Sequence, residues 1–227
     1  MTRVFIDEFI DPFFEEIIDN YRNAFLRGQF FWCHFPYIHE NLEIWRPVSY
    51  DGTQTRASHF QISSAGEDAF NRSMPLYNPK LETDEEFIVV RAKRRPIILI
   101  TPSPEEIRTN LLRGGTKINR HLCLVAPLYS VIGKYGNIKF PQEFIDRVRL
   151  MEFPQFFFIP ENTKYGIRSS ILRLDSLQAV FENHLDPLPL KLSKLAIDIL
   201  QGQIECFING KENTNYETLR ELLLNPD

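Results

Sequence analysis

The sequence predicts an α+β fold in which a small curled sheet or barrel carries added helices. Several short apolar runs bounded by proline and glycine are typical of closely spaced strands. The helical segments lie between and after these runs and do not alternate with them, which argues against a βαβ fold. With 19 Phe, 15 Pro and only 10 Gly in 227 residues, the composition indicates an aromatic-rich core with proline-punctuated loops.

The first part of the chain is predicted to contain one helix, one strand and a long irregular stretch. Asp11 and Pro12 are suited to begin a helix over residues 12–27. Its apolar side chains recur at helical spacing: Phe13, Ile17, Tyr21 and Phe25. Residues 29–35 form an aromatic run that predicts a strand. Residues 39–85 are turn-rich, with a single predicted strand at 59–62, and have the character of an insertion.

Regular patterns return after residue 86. Strands are predicted at residues 87–90, 96–100, 121–126, 155–159 and 171–180. Proline in the first turn, a serine cap or a capping box predicts helices that begin after Ser103, Pro141, Ser193 and Thr214. These helices are expected to end at Gly114 and near Leu150, residue 208 and Leu224.

Several classes of function lack their usual signals. The glycines form neither GxGxxG nor GxxxxGK[ST], so dinucleotide and P-loop sites lose their main support. The histidines and cysteines show no CxxC or HExxH spacing, and we expect no metal ion or other cofactor. Cys33, Cys123 and Cys206 are far apart and flanked by apolar residues, which predicts buried free thiols in a reducing compartment.

Charge and hydropathy indicate where the protein works. No apolar run approaches the roughly 18 residues of a membrane span, and the N-terminus is acidic where a signal peptide would be basic. We therefore expect a cytoplasmic protein with no membrane partner. The formal net charge is −4, but residues 91–120 are strongly basic and could either hold phosphate or form a solvated face.

Arg173 and Asp175 are the most informative pair of polar side chains. They lie in a run otherwise made for burial, and on a strand two residues this far apart project from one face. Such a pair is either a structural ion pair or the pair of groups that metal-free RNA cleavage needs. That reaction requires a base for the ribose 2′-hydroxyl and a positive group for the charge that develops on phosphorus.

Four segments resemble, in order, motifs of the PemK/MazF toxin family, its Kid-like members included. Residues 28–32 resemble the opening strand, and His39 with Glu40 follows where Kid-like members have a His-Glu pair. Residues 95–102 resemble the strand that begins with Arg-Pro. Residues 124–130 are similar to the family's Pro-x-Thr-Ser strand end, and residues 170–178 to its Arg-x-Asp strand.

The resemblance implies an SH3-like β-barrel and one enlarged domain over residues 1–227. In this interpretation the barrel core comprises residues 28–38 and 87–208. The additions are a helical N-terminal extension over 1–27, an insertion over 39–86 and a helical C-terminal tail over 209–227.

The resemblance also implies residue roles. Asp175 matches the general base, Arg173 the acid or phosphate-stabilising group, and His39 a substrate-contacting histidine that we group with the catalytic residues. Arginine keeps its proton at ordinary pH, so electrostatic stabilisation is the first role expected of Arg173. The residues expected to bind RNA are Arg46, Arg94, Arg95, Tyr129 and Ser130.

Two functions follow as alternatives. The first is a metal-independent endoribonuclease that cleaves single-stranded RNA as a homodimer and is held off by an antitoxin protein. The second is a catalytically inactive toxin-like barrel that binds nucleic acid or a protein partner through the basic residues 91–95 and Tyr129. The retained Arg173 and Asp175 favour the enzyme, whereas Tyr129, which stands where the family usually has threonine, favours the binding module.

Overall fold

The computed structural model describes most of the chain. Its described residues are 4–37, 40, 42–50, 57–64, 87–104, 121–133, 135–210 and 214–224; for 46–50, 57–61, 63, 64, 214 and 215 it describes the backbone alone. The helix predicted after Ser103 lies outside these residues.

The described elements are mostly strands. They are β1 (Phe14–Glu16), β2 (Gln29–Pro36), β3 (Glu43–Tyr50), β4 (Ala57–Ser64), β5 (Phe87–Val89), β6 (Ala92–Thr101), β7 (Leu122–Ser130), β8 (Phe156–Ile159), β9 (Ser170–Arg173), β10 (Gln178–Phe181) and β11 (Asp186–Leu192). The helices are α1 (Ile6–Phe9), α2 (Tyr21–Ala24), α3 (Gln142–Arg149), α4 (Lys194–Asn209) and α5 (Thr214–Leu224). Short 3-10 turns cover Thr163–Tyr165, Leu174–Ser176 and Glu182–His184.

The strands form two sheets. The larger has the order β1-β11-β2-β6-β7-β9-β8, with β10 also paired to β7, and the smaller has the order β4-β3-β5. The pairings of β7 with β6, β9 and β10 are all antiparallel. The α+β class is therefore confirmed, with a mostly antiparallel sheet. Within the described part of the chain, β1 and β8 end the larger sheet and no pairing closes it into a barrel.

Contacts divide the chain into two compact units. One comprises Met1–His34 with Arg94–Asp227 and contains nearly all of the larger sheet, and the other is Phe35–Lys93 and contains the smaller sheet. Of the described helices, none is long and apolar enough to cross a membrane. Cys33 and Cys123 are buried free thiols, as predicted, and burial raises the pKa of both, whereas Cys206 is only partly buried.

The helix predicted over residues 12–27 is wrong. Phe13 and Ile17 are buried as the pattern required, but the segment between them is β1, which pairs with β11. Residues four apart share a face in a strand as well as in a helix, so the spacing alone could not distinguish the two. Glu15 lies opposite Lys191 in this pairing, and their side chains form an ion pair of 2.6 Å. The cross-strand pair stabilises the extended form.

The predicted helices over 142–150, 194–208 and 214–224 are confirmed as α3, α4 and α5. Ser193 caps α4 by accepting a hydrogen bond from the backbone N–H of Ala196. Gly210 ends the helix in the left-handed conformation, with φ of 64°, which glycine adopts without steric cost. Ala196, Ile199 and Leu200 on α4 are buried in the main hydrophobic cluster.

The predicted strand over 171–180 is interrupted. β9 pairs Leu172 with Leu128, and β10 pairs Gln178 with Val125, so both strands lie along the same edge of β7. Between these pairs the chain advances six residues while β7 advances three. The 3-10 turn Leu174–Ser176 accommodates the excess, which makes it a bulge in an otherwise continuous pairing.

Gln203 of α4 should be a main stabilising residue of this fold. It is fully buried, and its Nε2 donates to the backbone carbonyls of Phe153, Pro154 and Phe156. Gln203→Ala removes all three hydrogen bonds, but the Phe153 carbonyl keeps the one it accepts from the N–H of Phe156, so we expect the free energy of unfolding to fall by about 1 to 2 kcal/mol. The matched control Gln201→Ala removes an exposed amide from the same helix and should cost less than about 0.5 kcal/mol. Equal losses in urea unfolding would refute this role.

Candidate functional site

Arg173 and Asp175 form a two-pronged ion pair. Arg173 Nε donates to Asp175 Oδ1 at 2.8 Å, and Nη2 donates to Oδ2 at 2.6 Å. About a third of each side chain is exposed, 34% for Arg173 and 28% for Asp175. The pair is therefore brought together as predicted and remains open to solvent.

The backbone that creates the pair differs from the expected strand. Arg173 is the last residue of β9, whereas Asp175 lies in the 3-10 turn that follows. Leu174 between them is buried, and its N–H donates to the carbonyl of Gln155 at 2.9 Å. Burial of Leu174 fixes the turn, and the turn places the Asp175 carboxylate beside the Arg173 guanidinium.

Tyr129 links this ion pair to a second arginine. The guanidinium carbons of Arg95 and Arg173 lie 4.2 and 5.2 Å from the centre of the Tyr129 ring, within the range of cation–π contacts. Strand register explains the arrangement. Ile97 pairs with Pro127, so Arg95 and Tyr129, each two residues away, occupy the same face of neighbouring strands. Tyr129 in turn pairs with Ile171, two residues before Arg173.

Arg173 keeps its charge in this environment. The hydrogen bond to Asp175 raises the pKa of Arg173 above its ordinary value, while partial burial acts in the opposite direction. The guanidinium is therefore a permanent cation and cannot deliver a proton at ordinary pH. It has five N–H donors, of which the ion pair uses two, so the rest can bind an anion.

Two residues that support the site were not identified from the sequence. Phe156 on β8 pairs with Arg173 and places its ring centre 5.8 Å from the guanidinium carbon. The carbonyl of Phe156 accepts a 2.6 Å hydrogen bond from Gln203 of α4. The prolines at both ends of the 155–159 run predicted the strand, but not its partner, because pairing depends on residues distant in sequence.

Arg94 and Ser130 lie apart from this cluster. Arg94 lies on the exposed side of β6, where its guanidinium donates to Asp186 at 2.6 Å. The guanidinium carbon lies 5.0 Å from the centre of the Trp32 ring. Adjacent strand residues project to opposite faces, so Arg94 and Arg95 cannot bind the same group. Ser130 Oγ donates to the carbonyl of Ile132 and accepts from its N–H, which stabilises a local turn.

Two of the predicted site residues are not placed. His39 lies outside the described residues. Arg46 belongs to β3 in the smaller unit, but only its backbone is described. Among the side chains that the structure does describe, no group of three His, Cys, Asp or Glu residues could hold a metal ion.

No model of a known protein family matches this chain, and no curated protein has a significantly similar sequence.

The Arg173–Asp175 pair should be energetically coupled in the folded protein. In a double-mutant cycle with alanine, we expect a coupling free energy of about 1 kcal/mol at low salt, because both groups are partly shielded from water. The coupling should decrease in about 1 M NaCl, where charges are screened beyond roughly 3 Å. The control pair Lys194–Asp198 has side chains 85% and 56% exposed, and its coupling should be about 0.3 to 0.5 kcal/mol. A coupling for Arg173–Asp175 no larger than the control would contradict this expectation.

Proposed function

We propose that this protein is a metal-independent endoribonuclease of the PemK/MazF type that cleaves single-stranded RNA. The observation that carries the proposal is the partly exposed Arg173–Asp175 pair beside the Tyr129 ring, with Arg95 on the same ring. An unpaired RNA strand exposes its phosphates, its 2′-hydroxyls and the faces of its bases, and this cluster offers a group for each of them. In this proposal the curled sheet is an SH3-like barrel.

The proposed reaction begins with proton transfer to Asp175. One carboxylate oxygen accepts the proton of a ribose 2′-hydroxyl, and the 2′-oxygen then forms a bond to the adjacent phosphorus. The bond from phosphorus to the 5′-oxygen breaks, which leaves a 2′,3′-cyclic phosphate. The departing 5′-oxygen takes a proton from water. Asp175 Oδ1 accepts hydrogen bonds from Arg173 and from the Ser176 hydroxyl, whereas Oδ2 accepts one from Arg173 and has a further lone pair for the substrate.

Arg173 stabilises the negative charge that develops on the phosphate oxygens. Arg95 is buried and adds positive potential through its own contact with the Tyr129 ring, and the exposed part of that ring can contact a base. By the same resemblance, the active species is a homodimer and an antitoxin protein inhibits it.

An inactive binding module is the second candidate, and one observation favours it. Arg173 binds both oxygens of Asp175 at 2.6 and 2.8 Å, and these hydrogen bonds occupy lone pairs that a substrate hydroxyl would need. In this alternative the same cations and the Tyr129 ring hold single-stranded RNA or a protein partner without cutting it.

Incubation with a long unstructured RNA in EDTA distinguishes the two functions. For the enzyme we expect discrete cuts with 2′,3′-cyclic phosphate ends, and a rate at least about 100-fold lower in Asp175→Asn and Arg173→Ala. Arg147→Ala and Glu152→Gln are matched controls, because these residues form a similar ion pair beside the Phe153 ring, and they should leave the rate unchanged. RNA that stays intact at high protein concentration would refute the enzyme.

A further inference from the structure

An open cavity lies in the larger unit, at the opposite end of β7 from Tyr129. Its volume of about 600 Å³ is within the usual range for small-ligand pockets. Two aromatic rings, two amides and two basic groups contribute to its lining: Phe25, Phe181, Asn23, Asn183, Arg22 and His121. Phe181 pairs with Leu122 at the start of β7 and is 37% exposed, although it is a large apolar side chain.

This combination of side chains is suited to a nucleobase. Aromatic rings stack on the face of any base, and asparagine amides can donate to and accept from base edges. Glu182 also lines the cavity, and its carboxylate faces His121 at 3.8 Å and the buried Cys123 thiol at 3.9 Å. Arg22 supplies a permanent positive charge at the same opening.

The backbone of Phe25 is strained in a way that positions its ring. Its φ of 40° and ψ of 55° place a bulky residue in the left-handed region, which is sterically unfavourable for it. Phe25 stacks on the fully buried Phe31 at 5.4 Å. The buried Gln29 side chain fixes the preceding segment, because it accepts from the N–H of Leu26 and donates to the carbonyl of Tyr21. Strain of this kind persists where the surroundings enforce it and is common at ligand sites.

One further cation, Arg94, and one further aromatic ring, Trp32, lie beyond the cavity. Leu185 lines the cavity, and the next residue, Asp186, pairs with Trp32 in the sheet. Arg94 covers the Trp32 ring and is bound to Asp186. Alternating basic and aromatic side chains are typical of surfaces that bind single strands.

We propose that this cavity binds one base of a single-stranded RNA, at a distance from the phosphate held by Arg173. Tyr129 follows Leu122 by seven residues along β7, which is roughly 23 Å at about 3.3 Å per residue. A dinucleotide cannot span this distance, whereas a longer strand can. That the bound RNA is also the substrate rests on the proposed function. That the cavity suits a base follows from its lining alone.

The test measures binding in the Asp175→Asn background, so that no RNA is consumed. A fluorescent RNA about 12 nucleotides long is titrated with protein, and polarisation gives the Kd. We expect Phe181→Ala to raise the Kd about tenfold, and Asn183→Ala to raise it in the same direction. Phe207→Ala is the matched control, since Phe207 is 36% exposed on α4, and its Kd should be unchanged.

The outcomes separate the two proposals. If Phe181→Ala and Phe207→Ala bind the longer RNA equally, or if the protein binds no RNA, the pocket proposal is overturned. If binding depends on Phe181 but the wild-type protein never cuts RNA, the pocket is supported and the nuclease is refuted. Asn183 is exposed, so its replacement should not unfold the protein. The Kd of Asn183→Ala therefore tests the pocket even if Phe181→Ala lowers the melting temperature.

Discussion

The candidate site depends on the cation–π contacts that two arginines make with the Tyr129 ring. Two guanidinium groups, from Arg95 on β6 and Arg173 on β9, lie within 4.2 and 5.2 Å of its centre. Both groups are positively charged and repel one another, and the electron-rich ring together with the Asp175 carboxylate compensates for that repulsion. The result is a positively charged, partly exposed surface that carries one carboxylate, and such a surface suits a phosphodiester better than a neutral ligand.

Strand β7 makes this arrangement possible because it brings distant parts of the chain to one place. It pairs with β6 on one side and with β9 and β10 on the other, and the three-residue excess between β9 and β10 forms the turn that carries Asp175. The cavity at the far end of the same strand lies next to Phe181 of β10. If both proposals hold, one strand carries the groups for bond cleavage at one end and for base binding at the other.

The sequence predicted the elements that local patterns determine. Apolar runs between prolines and capped helix starts gave β6, β8, α3 and α4, and the spacing of Arg173 and Asp175 gave their contact. It did not predict β11 because two prolines, Pro187 and Pro189, interrupt the pattern of a strand. It predicted a helix in place of β1 because the spacing of Phe13 and Ile17 suits a helix as well as a strand. The contact of Arg95 with Tyr129 follows from strand register, which no local pattern contains, whereas the separation of Arg94 from it follows from the alternation of side chains along β6.

The most direct test of the Tyr129 ring is the rate of RNA cleavage in EDTA by two variants at this position. Tyr129→Phe keeps the ring and should retain the wild-type rate. Tyr129→Leu removes the ring but keeps an apolar side chain, so both guanidinium groups lose their contact, and we expect a rate about tenfold lower. Equal rates in the two variants would contradict the role assigned to the ring.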